Sequence, residues 1–426
     1  MIRIMNGVAD TAEIFARSVS ATPPDVESAV DSVLADVRTR GDAALFDLTE
    51  RFDGVRPGSL RVTESEIEEA FELCPDELIE MLNKAADNIR EFHSRQLREG
   101  FEFKRGNAVL GQRVLPLASA GLYIPGGTAS YPSTVLMSAV PAHIAGVGRI
   151  VMVTPPGKDG KIAPAILAAA HIAGVTEIYK VGGAQAIAAL AYGTESIKRV
   201  DKIVGPGNIF VATAKKKVFG LVDIDMIAGP SEILVVADGR ADPVNVAADM
   251  LSQAEHDRLA AAVLVCTDER FASAVSMELE RQIPLLPRAE IARASVDTNG
   301  KIIIVPDVET AVEIANAIAP EHLELCVAEP FRYLGSVRNA GSVFLGGSTP
   351  EALGDYWAGP NHTLPTMGTA RFSSPLSVDE FIKRSSYICY TREELKKAAD
   401  GIAILARSEG LEAHARSVEI RFEERK

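Results

Sequence analysis

From Gly121 onward, short β-branched runs alternate with Ala-rich stretches of helical spacing. Few folds other than a parallel sheet wrapped by helices accommodate that alternation. IVMVT (150–154) precedes IAPAILAAAHIAG, EIYKVGG (177–183) precedes AQAIAALAYG, and KIVGPG (202–207) precedes NIFVATAKKKV, with EILVVAD (232–238) closing the set. In a second set, AAAVLVC (260–266), KIIIVP (301–306) and GSVFLG (341–346) are separated by segments of helical periodicity. The expectation is two α/β units of similar plan.

The first hundred residues read as helices. Val26, Val30, Val33, Leu34 and Val37 recur at helical spacing between Pro24 and Arg40, and Gly41 supplies a stop. Thr63 with Glu66 forms a capping box that opens the next helix, and an amphipathic pattern runs from about Asp76 to Gln96. After Ser374 there is one charged helix, roughly Arg392 to Arg407, and no strong strand until VEIRF at 418–422. Such a tail either caps its own globule or packs on a neighbour.

A chain of 426 residues exceeds one typical domain. Its formal charge of -14 repels a phosphate backbone, and the one basic run, Lys215 to Lys217, lies in a helix-like segment, so no nucleic-acid partner is expected. The N-terminus lacks the apolar core of a signal peptide, and no stretch approaches the ~20 apolar residues of a membrane span. A cytoplasmic protein without a membrane partner is expected. Cys74, Cys266, Cys326 and Cys389 are far apart and form no C-x-x-C pair. Any metal should therefore have N and O ligands.

Among seven histidines, His93, His143 and His171 sit in helix-like or Ala-rich surroundings and read as structural. His256, His322, His362 and His414 lie among polar residues at element boundaries, where side chains converge on clefts. Gln253 and His256, three apart near the end of a helix from Pro243, share a face as two ligands on one helix must. By spacing alone Glu255 or Asp257 would be the more usual oxygen ligand, and a solvated helix end explains the pattern equally well. Glu321 and His322 follow Pro320, which favours the first turn of a helix. A histidine there can take an alcohol's proton while the carboxylate activates water. Asp355 and His362 fall in GDYWAGPNHTLPT (354–366), which reads as a loop at a strand's carboxyl end, where open α/β sheets bind ligands. No G-x-G-x-x-G follows a strand, but GLYIPGG, KVGGAQ and KIVGPGN are glycine-bearing strand-to-helix junctions. The residues alone reach a metal-plus-nucleotide α/β enzyme.

GLYIPGGTASYPSTVLM, VGGAQAIAALAYGT, VDKIVGPGN, DMIAGPSEILV, LSQAEHD, APEHLEL and GDYWAGPNHTLPT, in this order, resemble the characteristic blocks of the histidinol dehydrogenase family. The resemblance runs over nearly the whole chain. It implies Zn²⁺, one ion per subunit, on Gln253, His256, Asp355 and His414, and NAD at Tyr123, Gln185 and Asn208. It also implies L-histidinol contacts at Ser231, Gln253, His256, His322, Asp355, His362, Glu409 and His414, with Glu321 and His322 catalytic. Oxidation would pass through an enzyme-held aldehyde with two NAD, at the end of histidine biosynthesis. Cys326 suggests a thiohemiacetal only weakly, since inside HLELCVAE it reads as a packed apolar residue.

The implied architecture has two Rossmann-like domains with small helical N- and C-terminal segments. These are a segment 1–23, a larger α/β domain of 24–122 with 233–375, a second of 123–232, and an arm 376–426 exchanged in a homodimer. Dehydrogenation of a related small alcohol, a metallohydrolase in which Glu321 is the base, and a non-catalytic binding protein are the other readings. The absence of HExxH weakens the hydrolase, and the full ligand set beside Glu321 and His322 argues against the last.

Overall fold

The computed structural model describes residues 2–7, 22–126 and 130–423. The chain forms two compact units, Met1–Gln96 with Leu117–Phe381 and Leu97–Pro116 with Ile382–Lys426. Of the N-terminal segment, residues 8–21 lie outside the described residues, as does the 424–426 end of the tail. No helix among the described residues is long and apolar enough to cross a membrane.

The first unit holds two parallel sheets. The five-stranded one runs Glu177–Lys180, Arg149–Thr154, Ser119–Tyr123, Lys202–Val204, Asp223–Ile224 in spatial order. Its first strand in sequence, Ser119–Tyr123, is central, and the chain winds away from it to either side. Two neighbouring strands whose chains leave in opposite directions open a crevice at their carboxyl ends. Here that crevice lies between Tyr123 and the Gly205–Asn208 loop.

The helix Pro24–Arg40 appears as the sequence predicts, the helix Asp42–Asp53 that follows Gly41 was not foreseen, and Val30, Val37 and Leu45 are fully or almost fully buried in one core with Ile187, Leu190 and Val211. Each such side chain contributes about 1.5–3 kcal/mol, enough to hold these helices on the five-stranded sheet. The capping box is present, with Glu66 N–H to Thr63 Oγ1 at 3.3 Å and Thr63 N–H to Glu66 Oε2 at 2.9 Å. We propose the finer subdivision 24–122 with 233–375 against 123–232, of which Leu97–Pro116 fall in the second unit.

The six-stranded sheet runs Arg3–Asn6, Lys301–Ile304, Ala261–Cys266, Glu232–Ala237, His322–Cys326, Ser342–Leu345, all parallel. Two expectations change here. EILVVAD does not close the first sheet but is central in this one. HLELC, read as a helix start, is a strand: Ala319 ends the preceding helix in the left-handed conformation (φ 54°), and all five residues are buried between two neighbouring strands. Pro320 thus sits at a helix end.

In the second unit Phe101–Arg105, Ala108–Pro116 and Ile382–Cys389 form an antiparallel sheet that the sequence reading missed. Helices Arg392–Ser408 and Glu412–Glu419 follow. The expected strand VEIRF is a helix end followed by a turn. Ala415 buries against Ala403 and Ala406, and Glu412 and Glu419, two helical turns apart, both pair with Arg407 at 2.8 Å.

Candidate active site

At the crevice of the five-stranded sheet, Tyr123, Gln185 and Asn208 line one cavity of about 1750 Å³. Tyr123 ends a strand, and its hydroxyl accepts the Gly183 N–H at 3.2 Å. Burial pushes its pKa up to about 12. Asn208 caps the helix Ile209–Val218, Oδ1 accepting from the Phe210 and Val211 N–H groups at 3.1 and 3.2 Å. Gly205 has φ 118°, and a Cβ there would strike the Tyr123 carbonyl, so only glycine lets the loop come this close.

Glu321 and His322 lie where the six-stranded sheet reverses its winding, beside the strand Glu232–Ala237. The Glu232 N–H donates to Glu321 Oε2 at 2.9 Å, and His322 Nδ1 lies 3.0 Å from the Glu232 carbonyl oxygen. A carbonyl only accepts, so Nδ1 carries the proton and Nε2 keeps a lone pair. Burial lowers the pKa of His322 and raises that of Glu321 well above the usual carboxyl value, with Glu232, Asp355 and Glu351 adding to the rise.

Asp355 arrives on a short helix, Glu351–Tyr356, rather than on the expected loop. Glu351 N–H donates to Glu324 Oε1 at 2.8 Å, while Asp355 Oδ1 lies 3.9 Å from His322 Nε2. Glu351 Oε1 is equally 3.9 Å from His322 Nε2, so two carboxyls of this short helix face one imidazole. Because His322 and Glu232 open their strands, the site assembles at the amino ends of these strands and not at their carboxyl ends. His362 Nδ1 lies 3.8 Å from Asp355 Oδ1, and its Nε2 is 3.3 Å from Thr134 Oγ1. Burial, with His322 and His256 nearby, lowers its pKa to about 4. Burial raises Asp355 to about 9, with Glu351 next. A small pocket of about 130 Å³ is lined by His322, Asp355 and His362.

Gln253 is the penultimate residue of the helix Pro243–Ala254 and follows Ser252, whose hydroxyl donates to Glu351 Oε2 at 2.7 Å. Gln253 is 1 % exposed, and neither its Oε1 nor its Nε2 finds a hydrogen-bond partner among the described residues. The same holds for His322 Nε2 and Glu351 Oε1. Leaving such a group unsatisfied costs about 1–3 kcal/mol. His322, Glu351 and Asp355 offer donor atoms within 4.8 Å of one another. Orphaned nitrogen and oxygen donors beside buried carboxyls fit a borderline cation such as Zn²⁺.

Ser231 directly precedes Glu232 and is half-buried. His414 and Glu409 belong to the second unit and are exposed there. Cys326 is buried two residues down its strand from Glu324, and burial, with the Glu324 and Asp249 charges, pushes its thiol far up, so it supplies no thiolate. The sequence reading missed Glu351 and Glu232. The capping pattern Pro350-Glu351 signals only a helix start, and Glu232 acts through its backbone.

A family model described as histidinol dehydrogenase matches residues 16–422. The histidinol dehydrogenase of Geobacillus kaustophilus is 56% identical over 408 residues, covering 96% of each chain. That of Listeria monocytogenes serovar 1/2a is 54% identical over 413 residues, covering 97% of this chain and 96% of its own. The crystal structure of histidinol dehydrogenase from Elizabethkingia anophelis superposes with a TM-score of 0.94 at 38% identity, covering 99% of this chain and 98% of that one.

Proposed function

The chain belongs to the histidinol dehydrogenase family of histidine biosynthesis, and from that premise we propose that it oxidises L-histidinol to L-histidine in two hydride transfers to NAD, holding the aldehyde between them. The observation that carries the reading is the orphaned Nε2 of His322, 3.9 Å from both Glu351 Oε1 and Asp355 Oδ1 and fixed in its tautomer by Glu232.

His322 Nε2 takes the hydroxyl proton of the alcohol. A neutral imidazole with a lowered pKa is ready for this at neutral pH. Glu321, anchored on the Glu232 N–H, takes a proton from the water that hydrates the aldehyde, and its raised pKa makes it a stronger base once ionised. Tyr123, Gln185 and Asn208 would hold NAD, which would supply the hydride acceptor. Zn²⁺ on Gln253, His256, Asp355 and His414 would orient the substrate through its imidazole and amine nitrogens. Ser231, His362 and Glu409 complete the substrate contacts.

His414 and Glu409 would come from the other chain of a homodimer with exchanged C-terminal arms. Support comes from Ile388, Ile404 and Leu405, 70, 68 and 67 % exposed on that arm, an apolar surface that a second copy would cover. The reading places the reaction in the cytoplasm. Its test is the NADH yield per histidinol, with and without chelator. Two equivalents that vanish on chelation are expected, and one equivalent with accumulating aldehyde overturns the scheme.

A further inference from the structure

The large cavity carries a carboxylate that the proposed chemistry leaves idle. Asp53 is the last residue of the helix Asp42–Asp53, followed by Gly54 in the left-handed conformation. A negative charge there faces the negative end of the helix dipole, so the position does not favour it for folding. Its Oδ2 is buried without a hydrogen-bond partner among the described residues, and burial raises its pKa to about 6, which leaves it ionised at neutral pH. A charge held against both the dipole and desolvation is better explained by a ligand than by the fold.

What it meets follows from where it lies. Asp53 lines the cavity with Tyr123, Gln185 and Asn208, and its charge reaches the Tyr123 hydroxyl. The small pocket around His322 and Asp355 shares no lining residue with this cavity. The hydride-accepting end of the dinucleotide must reach His322, so Asp53 faces another part. The pyrophosphate is anionic and would be repelled. Adenine offers a single amino group, whereas the adenosine ribose offers two adjacent hydroxyl donors that match a carboxylate. Of the four cations that line the cavity, Arg40 pairs with Asp36 and Asp47 at 2.6 and 2.7 Å and Lys161 with Glu69 at 2.6 Å, Arg51 lies over the Phe52 ring 5.2 Å from its centroid, and Lys158 is the fourth.

We propose that Asp53 accepts the vicinal hydroxyls of the adenosine ribose and so makes the enzyme prefer NAD over NADP, whose 2′-phosphate would be set against the carboxylate. This rests on the NAD reading above.

The test compares kcat/KM for NAD, NADP and nicotinamide hypoxanthine dinucleotide in the zinc-loaded full-length enzyme and its Asp53→Asn and Asp53→Ala variants. Loss of a charged hydrogen bond predicts that KM for NAD rises about ten-fold with kcat nearly unchanged, and that the preference for NAD over NADP falls at least about ten-fold. The Ala variant should relax further because it adds room. An unchanged NAD-to-NADP ratio in both variants overturns the proposal. So does a penalty that disappears with the hypoxanthine dinucleotide, since that places the carboxylate on the adenine amino group. If the unsubstituted enzyme reduces neither dinucleotide, the cofactor reading falls instead.

Discussion

His322 gives its Nδ1 proton to the Glu232 carbonyl at 3.0 Å, and the N–H of that same Glu232 holds Glu321 at 2.9 Å. One peptide segment at the start of a neighbouring strand therefore orients both members of the proposed acid–base pair. Parallel register makes this possible: His322 lies opposite Ile233, which brings Glu321 beside Glu232. A backbone partner cannot be removed by a side-chain substitution, so the pair can be dissected one member at a time.

His322→Asn should slow oxidation of both histidinol and histidinaldehyde by about 10²–10⁴-fold, the usual range for a lost general base. Glu321→Gln should slow the aldehyde step alone by a similar factor. Because burial lowers the His322 pKa below 6.5, the imidazole is neutral above that lowered value and gains its proton below it. The histidinol rate should thus fall on the acid side of 6.5, and that limb should vanish in His322→Asn. Stopped-flow single turnovers with each substrate decide the matter, and equal, mild effects from both variants would remove the pair from the mechanism.

Gln253 gives a prediction in which stability and binding move in opposite directions. Its amide is buried and unpaired, so Gln253→Met should stabilise the metal-free protein by about 1–3 kcal/mol and weaken zinc binding by a factor that chelator competition reads directly. Metal-free wild type should keep its far-ultraviolet circular dichroism, since its two parallel sheets do not depend on one ion for their burial. A variant with unchanged zinc affinity would take Gln253 out of the ligand set.

The elements that the sequence made legible are those with strong local periodicity. The Val stripe of 24–40, the Thr63–Glu66 box and the Val- and Ile-rich strands all appear where expected. HLELC was misread because its polar residues, His322 and Glu324, are buried by pairing and function rather than by hydrophobicity. The strand Phe101–Arg105 does alternate Phe with Glu and Lys, but it is short and all five residues are exposed, and its partner Ile382–Cys389 carries a polar run, so no buried face marked this sheet in the sequence. Asp355 was legible as a residue and not as a position, because nothing local says that its helix brings it to the start of the strand His322–Cys326.

Glu324 supplies a pH test of the buried acidic layer beneath the site. Burial, then the charge of Asp249, raises its pKa to about 9. A folded pKa above the unfolded value of about 4.5 means that the protonated form is favoured by folding. Its contribution is complete below about 4.5 and is lost as pH rises through 9. Glu324→Gln keeps an acceptor for the Glu351 N–H and removes the titration, so at pH 9 the variant should exceed wild type by more than ~1 kcal/mol, with the gap closing near pH 5. Urea midpoints of both proteins that run parallel across this range would refute the raised pKa.

The proposed exchange of C-terminal arms predicts complementation between two inactive variants. Asp355 lies in the first unit and His414 in the second, so a dimer that exchanges its arms draws the two ligands of one site from different chains. Asp355→Ala and His414→Ala should each be inactive as homodimers. Suppose differently tagged copies are co-refolded and the mixed dimer is isolated. With exchange, one site receives both lesions and the other receives neither, so about half of wild-type activity returns, as mass balance over two sites requires. If His414 instead serves its own chain, every site carries one lesion and the mixture stays inactive. Silence from verified mixed dimers would exclude the exchange while leaving the ligand set open to separate measurement. Ile404→Asp and Leu405→Asp provide a second reading of the same idea, since charge placed on the exposed apolar arm should shift the protein toward monomer in sedimentation and take the activity with it.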